Sequence, residues 1–204
     1  MKLFYSPGAC SIGIHVLLEE IGKPYDTAAV NFRDAEQFKS PFADLNPKSK
    51  VPTLVLEDGS VLTEFPAIAY YLARLNPGLK LLPDDFVGQA HCLSLMDYAV
   101  ATIHMQGFSR LFRPTNFAPN ATDEEAVKAR GTEIVAKGFA LMDNALAGRD
   151  YLLGTFSVAD TALFYVEFWA KRLKLPLPAN CAAHLERMLA RPAVQATLAA
   201  EGLA

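Results

Sequence analysis

Cys10 sits in Ser6-Pro-Gly-Ala-Cys10-Ser11, between residues that read as a strand, Lys2–Tyr5, and residues that read as a helix, Ser11–Ile21. Ile14, Leu17, Leu18 and Ile21 fall on one helical face. The spacing therefore puts Cys10 at a helix start, where the first backbone N–H groups lack intrahelical partners. A thiol there is biased toward thiolate, the form that attacks disulfides or steadies another sulfur. The competing reading is a small buried apolar side chain, because free cysteine is often buried. Val51-Pro52 puts a loop proline ahead of a hairpin, and together with a cysteine at a helix start it suggests a thiol site and not a buried sulfur.

The elements that must position these residues alternate in type. Tyr25–Phe32 reads as a second strand and Asp34–Leu45 as a weaker helical stretch. Asn46-Pro-Lys-Ser-Lys50 is a loop. Val51–Leu56 and Ser60–Leu62 flank Asp58-Gly59, a pair suited to a tight hairpin turn. Pro66–Leu75 carries Ile68, Tyr71, Leu72 and Leu75 on one helical face and stops at Asn76-Pro77-Gly78. The order βαβ, helix-like segment, hairpin, helix predicts a thioredoxin-like α/β domain over residues 1–78. Its first two strands are expected to run parallel through a right-handed crossover.

Leu79–Phe86 reads as a linker, and residues 87–204 read as an all-α domain. Val87–Phe112 makes one long helix with a kink expected near Gly107. Thr122-Asp-Glu-Glu125 matches a capping box for a helix that runs to about Ala147, with Gly148 as its stop. Ser157-Val-Ala-Asp160 repeats that pattern ahead of an apolar helix, Thr161–Leu173. Two shorter helices follow, at about Asn180–Ala190 and Pro192–Ala200.

Composition excludes several classes. The 204 residues are 51% apolar, enough for a sizeable core. A net charge of -3 gives no electrostatic reason to bind nucleic acid or an anionic membrane. No apolar run is long enough to span a bilayer, and the first residues lack the apolar stretch of a signal peptide. Cys10, Cys92 and Cys181 are too few and too scattered for a disulfide framework, which fits a cytoplasmic protein. His15, His91, His104 and His184 show no metal-binding spacing, so no metal is expected.

Four segments together resemble the cytosolic glutathione transferase family, and within it the bacterial, cysteine-containing beta-like class. They are Tyr5-Ser-Pro-Gly-Ala-Cys10-Ser, Asn46-Pro-Lys-Ser-Lys-Val-Pro52, Leu62-Thr-Glu-Phe-Pro-Ala-Ile68 and Phe156-Ser-Val-Ala-Asp160. The resemblance covers the whole chain. It implies that glutathione is the co-substrate, bound by Tyr5, Cys10, Lys50, Val51, Pro52, Glu64 and Phe65. Val51 would pair its backbone with the cysteinyl part as an added strand does, Pro52 would be cis, and Glu64 would take the α-ammonium. Phe65 stands where the family usually has a small hydroxyl residue. Its backbone N–H can still meet a carboxylate at the helix start, with about 1 kcal/mol lost for the missing hydroxyl.

The same resemblance makes Cys10, Ser11 and His104 the candidate catalytic residues. Tyr5 and Ser11 have hydroxyls that can hold a thiolate; the alternatives are a core-edge aromatic and a plain helix cap. His104, Phe108 and Arg110 are candidates for the second-substrate pocket, which would take a small hydrophobic electrophile. One residue more than in the resembling group separates His104 from Gly107-Phe108. One residue turns a helical face by about 100°, so the direction of His104 stays open. Asp160 reads as structural.

Three functions fit. The first is conjugation of glutathione to an electrophile, as in detoxification. The second is a glutathione-dependent thiol–disulfide or peroxide reductase working through Cys10. The third is a non-catalytic binder on the same fold. A homodimer is implied by the resemblance alone.

Overall fold

The structure, a computed structural model, describes residues 1–204. Its contacts divide the chain into one unit of Met1–Leu82 with Met188–Ala204, and a second of Pro83–Arg187.

The first unit is built on a four-stranded sheet in the order β2-β1-β3-β4. Strand β1 is Lys2–Tyr5, β2 Asp26–Ala29, β3 Thr53–Val55 and β4 Val61–Thr63. β1 pairs parallel with β2, with Leu3 opposite Thr27, and antiparallel with β3, with Leu3 opposite Leu54. β3 pairs antiparallel with β4 across the expected Asp58-Gly59 turn. Helix α1 (Ser11–Ile21) connects β1 to β2 and ends on Gly22, whose φ of 67° suits a residue without Cβ. Short α2 is Phe42–Leu45, and α3 is Phe65–Leu75. Leu3, Ile12, Ile14, Leu17, Leu54, Ile68 and Leu72 are all fully buried; of the expected helical faces Ile14, Leu17, Leu18, Ile68 and Leu72 are core, while Ile21 and Tyr71 are half-buried and Leu75 is exposed. β2 is shorter than its expected Tyr25–Phe32. Its one neighbour, β1, ends at Tyr5, so only Val30 adds a further bond, from its N–H to the Tyr5 carbonyl at 2.7 Å.

The C-terminal helix α9 (Pro192–Ala200) belongs to this unit, not to the helical domain in which the sequence placed it. It packs against α1. Arg191 at its start forks onto the Glu20 carboxylate at 2.6 and 2.9 Å. The expected linker is also partly core, with Leu81 and Leu82 buried.

The second unit holds α4 (Phe86–Asp97), a π-helical stretch Tyr98–Phe108, α5 (Ser109–Phe112), α6 (Glu124–Leu146), α7 (Val158–Arg172) and most of α8 (Ala179–Leu189). The long helix expected over Val87–Phe112 is thus continuous in path but widened in its middle, where a kink was expected. The stretch packs on α6 at two glycines. A Cβ on Gly107 would meet Val135 Cγ2 at 2.6 Å, and one on Gly131 would meet the Gly107 carbonyl oxygen at 2.9 Å. The box ahead of α6 is Asn120 with Asp123, not Thr122 with Glu125. A 3-10 turn, Ala121–Asp123, takes up the residues in which the helix was expected to begin. The Ser157–Asp160 box ahead of α7 forms as expected, and Val158–Ala170 is buried throughout.

Candidate active site

The Ser6–Ser11 turn that carries Cys10 is tied down from three sides. Ser11 is fully buried; its hydroxyl accepts from the Ser6 N–H at 3.2 Å and donates to the Ser6 carbonyl at 3.4 Å. The Gly8 N–H donates to Glu201 Oε2 at 2.8 Å. Glu201 Oε1 lies 2.9 Å from Nδ1 of His15, and this contact is buried on both sides. Ser11 therefore closes the turn, a correction to its expected place at a thiolate. Tyr5 is likewise core. Its ring packs on His15 at 5.2 Å, and burial, with Glu201 adding to it, pushes its phenol up and keeps it protonated.

Cys10 itself is half-buried, and its Sγ–H donates to the Val51 carbonyl at 3.3 Å. Desolvation pushes the thiol up to about 12. The backbone N–H groups of Cys10 and Ser11, and Lys50, pull the other way, while Glu64 adds to the rise. The electropositive helix start is real but loses to desolvation. Against the expected bias toward thiolate, burial favours the neutral thiol, a donor.

The loop opposite is equally fixed. The Asn46 amide donates to the Lys50 carbonyl at 2.9 Å and to Thr53 Oγ1 at 2.8 Å, while its oxygen accepts from the Lys48 N–H. Val51-Pro52 is cis, as expected; Ser40-Pro41 is cis as well. The Val51 side chain sits in a small core with Val30 and Phe42, against which Phe4, Ala9 and Phe32 pack. At the head of α3, Glu64 holds a φ of 71°, a region that side chains seldom adopt. It gives α3 no side-chain cap and meets Lys48 Nζ at 2.9 Å on the surface. Phe65 is buried, so its ring packs inside the unit. Cys10, Lys50, Val51 and Glu64 are thus brought together, with Pro52 shaping the loop.

In the helical unit the candidates separate. Phe108 is fully buried, stacked on Phe112 at 5.7 Å and edge-on to Trp169, so it supports a surface and does not line one. Arg110 is engaged by the Gln106 carbonyl at 2.6 Å and lies over the Phe117 ring. His104 is half-buried, with Nδ1 3.2 Å from the Tyr165 hydroxyl. Sequence reasoning missed Asn46, Glu201 and Tyr165. Asn46 was legible as a turn former; the other two act across long stretches of chain with no local signal.

Comparison with known proteins accounts for this arrangement. Residues 8–75 match the family model of the glutathione S-transferase N-terminal domain, and residues 125–195 that of the C-terminal domain. A glutathione S-transferase, GstA, of Escherichia coli O157:H7 is 38% identical, with both chains covered in full. A sphingomonad glutathione S-transferase solved in complex with glutathione is 37% identical, superposes with a TM-score of 0.85 and is also covered in full, as is this chain. A bacterial beta class glutathione S-transferase of Sphingomonas chungbukensis is 34% identical, with a TM-score of 0.85 and full coverage of both chains. The chain belongs to the glutathione S-transferase family.

Proposed function

We propose that this protein binds glutathione along Val51 and Glu64 and transfers its sulfur to a small, hydrophobic electrophile. Cys10 acts as a neutral thiol whose S–H turns from the Val51 carbonyl to the glutathione sulfur. The observation that carries this reading is the Cys10 Sγ–H aimed at the Val51 carbonyl with its pKa pushed up to about 12. Glutathione bound to the sphingomonad relative supports the co-substrate. The α-ammonium meets Glu64, Lys48 turns from Glu64 to a glutathione carboxylate, and Phe65 offers its backbone N–H. Lys50 faces the same site and favours negative charge on sulfur. In the helical unit His104 is the candidate catalytic residue, on the resemblance to the family.

A reductase reading needs a thiolate at Cys10, and desolvation opposes that. Cytoplasmic residence is supported by three unpaired cysteines; a homodimer and a role in detoxification rest on family membership. The test is the rate of conjugation of 1-chloro-2,4-dinitrobenzene. Cys10→Ser, which keeps a donor, is expected to retain kcat. Cys10→Ala loses a hydrogen bond to a charged sulfur and is expected to fall about tenfold or more. Equal rates in all three proteins would remove Cys10 from the reaction.

A further inference from the structure

Within the thioredoxin-like unit, a lysine already stands on the carboxylate at the head of α3. Lys48 Nζ donates to Glu64 Oε1 and to Thr63 Oγ1, each at 2.9 Å. The two charged side chains are 55% and 57% exposed, so the pair is a weak one that water and other ions can enter. The backbone beneath them is held on both sides. The Lys48 N–H donates to Asn46 Oδ1 at 3.1 Å, and the Ser49 N–H to the Asn46 carbonyl at 2.8 Å. Glu64 keeps a φ of 71°, and residues in such seldom-used conformations cluster at ligand clamps. The lysine side chain, by contrast, is a flexible four-carbon stem with a hydrated ammonium at its end. The pair is thus a fixed carboxylate with a movable cation on it.

We propose that Lys48 is a specificity-determining residue: it occupies Glu64 in the free protein and makes the site select ligands that carry an ammonium and a carboxylate on the same carbon. The inference rests on the proposed place of glutathione at Glu64, and deepens it by saying what that place selects. The argument is one of charge. A ligand ammonium reaches Glu64 only by displacing Lys48, so one ion pair replaces another and the exchange by itself gains little. An amino-acid head group also brings its carboxylate beside Glu64, where like charges repel. The displaced Lys48 answers that charge, and the signs then alternate from Glu64 through ligand ammonium and ligand carboxylate to Lys48. Thr63 Oγ1 serves as the pivot, since an ammonium has three N–H donors and Glu64 takes one. A ligand with the ammonium alone displaces Lys48 and gives it nothing to meet. Discrimination here comes from a cost set against the incomplete ligand, not from an added contact to the complete one.

Calorimetry on the full chain tests this with two ligands, reduced glutathione and 4-aminobutyryl-cysteinyl-glycine, which keeps the ammonium and lacks the α-carboxylate. Lys48→Met removes the competing cation at an exposed position. It is expected to weaken glutathione about two- to fivefold, the worth of one exposed ion pair. It is expected to tighten the 4-aminobutyryl ligand by a similar factor, because nothing then has to leave Glu64. Shifts of opposite sign support the inference. Affinities that both fall, or that both stay as in the native protein, overturn it. Glu64→Gln separates this failure from that of the functional reading. If Glu64→Gln weakens both ligands while Lys48→Met moves neither, the ammonium site stands and the selection by Lys48 is lost. If Glu64→Gln binds glutathione as tightly as the native protein does, the ammonium lies elsewhere, and the functional reading of Glu64 falls together with the inference.

Discussion

Two features at Cys10 oppose each other, and their sizes decide the chemistry. Backbone N–H groups at the start of α1 favour a thiolate, as the position in sequence implied. Desolvation beside the packed Val51 loop outweighs them. Only the first effect is local, so only the first was legible. Glu64 was named for a different reason, the resemblance of Leu62–Ile68 to the family's segment for the γ-glutamyl end of glutathione. Its φ of 71° keeps the carboxylate outward, where Lys48 now holds it. Glu64→Gln is expected to weaken glutathione binding about tenfold, the loss of one charged hydrogen bond, while leaving kcat near native. Calorimetry with steady-state kinetics separates the two; an unchanged Kd would place the ammonium elsewhere.

At the level of elements, α1 and α3 matched their sequence signals closely because their stops, Gly22 and Asn76-Pro77, are local chemistry. The Ser157–Asp160 box was legible on the same ground. Asp160 accepts from the Ser157 N–H and hydroxyl, each at 2.8 Å, and from the Leu152 N–H. The Asn120 cap was not, since two overlapping patterns compete over Asn120–Glu125 and the choice is made by the 3-10 turn between them. The widened stretch over Tyr98–Phe108 carried no compositional mark beyond one residue too many. Its glycines are needed for contact: Gly107 and Gly131 let two helices approach until a carbonyl lies where a Cβ would stand. Gly131→Ala gains helix propensity of up to about 1 kcal/mol, yet is expected to destabilise by about 1–3 kcal/mol net through overpacking. Denaturant melts measure this; a stabilised variant would mean the helices part easily.

Across the molecule, contacts between distant stretches of chain were beyond the sequence. Glu201, three residues before Ala204, binds the Gly8 N–H of the thiol turn and His15 of α1. It makes the last helix part of the thioredoxin-like unit. A second buried cluster lies inside the helical unit, where His184 stands between Glu167 at 2.7 Å and Asp160 at 3.3 Å. Burial pulls the His184 pKa down, but the two carboxylates more than reverse it, raising it to about 9. Desolvation also raises Glu167, against the pull of His184. Both groups therefore hold protons more tightly folded than unfolded. The contribution of Glu167 is whole below its unfolded pKa and is lost as pH rises through about 7, and that of His184 is lost as pH rises through about 9. Tm is expected to fall between about pH 5 and about pH 9.5. His184→Asn should flatten that slope and lower stability at neutral pH by about 3–5 kcal/mol, since it strands two buried carboxylates. A native Tm that rises over this range would show that other groups set the alkaline response.

The neutrality of Cys10 is what separates conjugation from disulfide reduction. Burial pushes the Cys10 thiol up to about 12, which opposes its ionisation at neutral pH. Intact mass after incubation with oxidised glutathione at neutral pH, native protein beside Cys10→Ala, measures the consequence directly. The account predicts no gain of glutathione on either protein, while both still bind reduced glutathione. A single glutathione carried by native protein and absent from Cys10→Ala would contradict it and make Cys10 a working nucleophile.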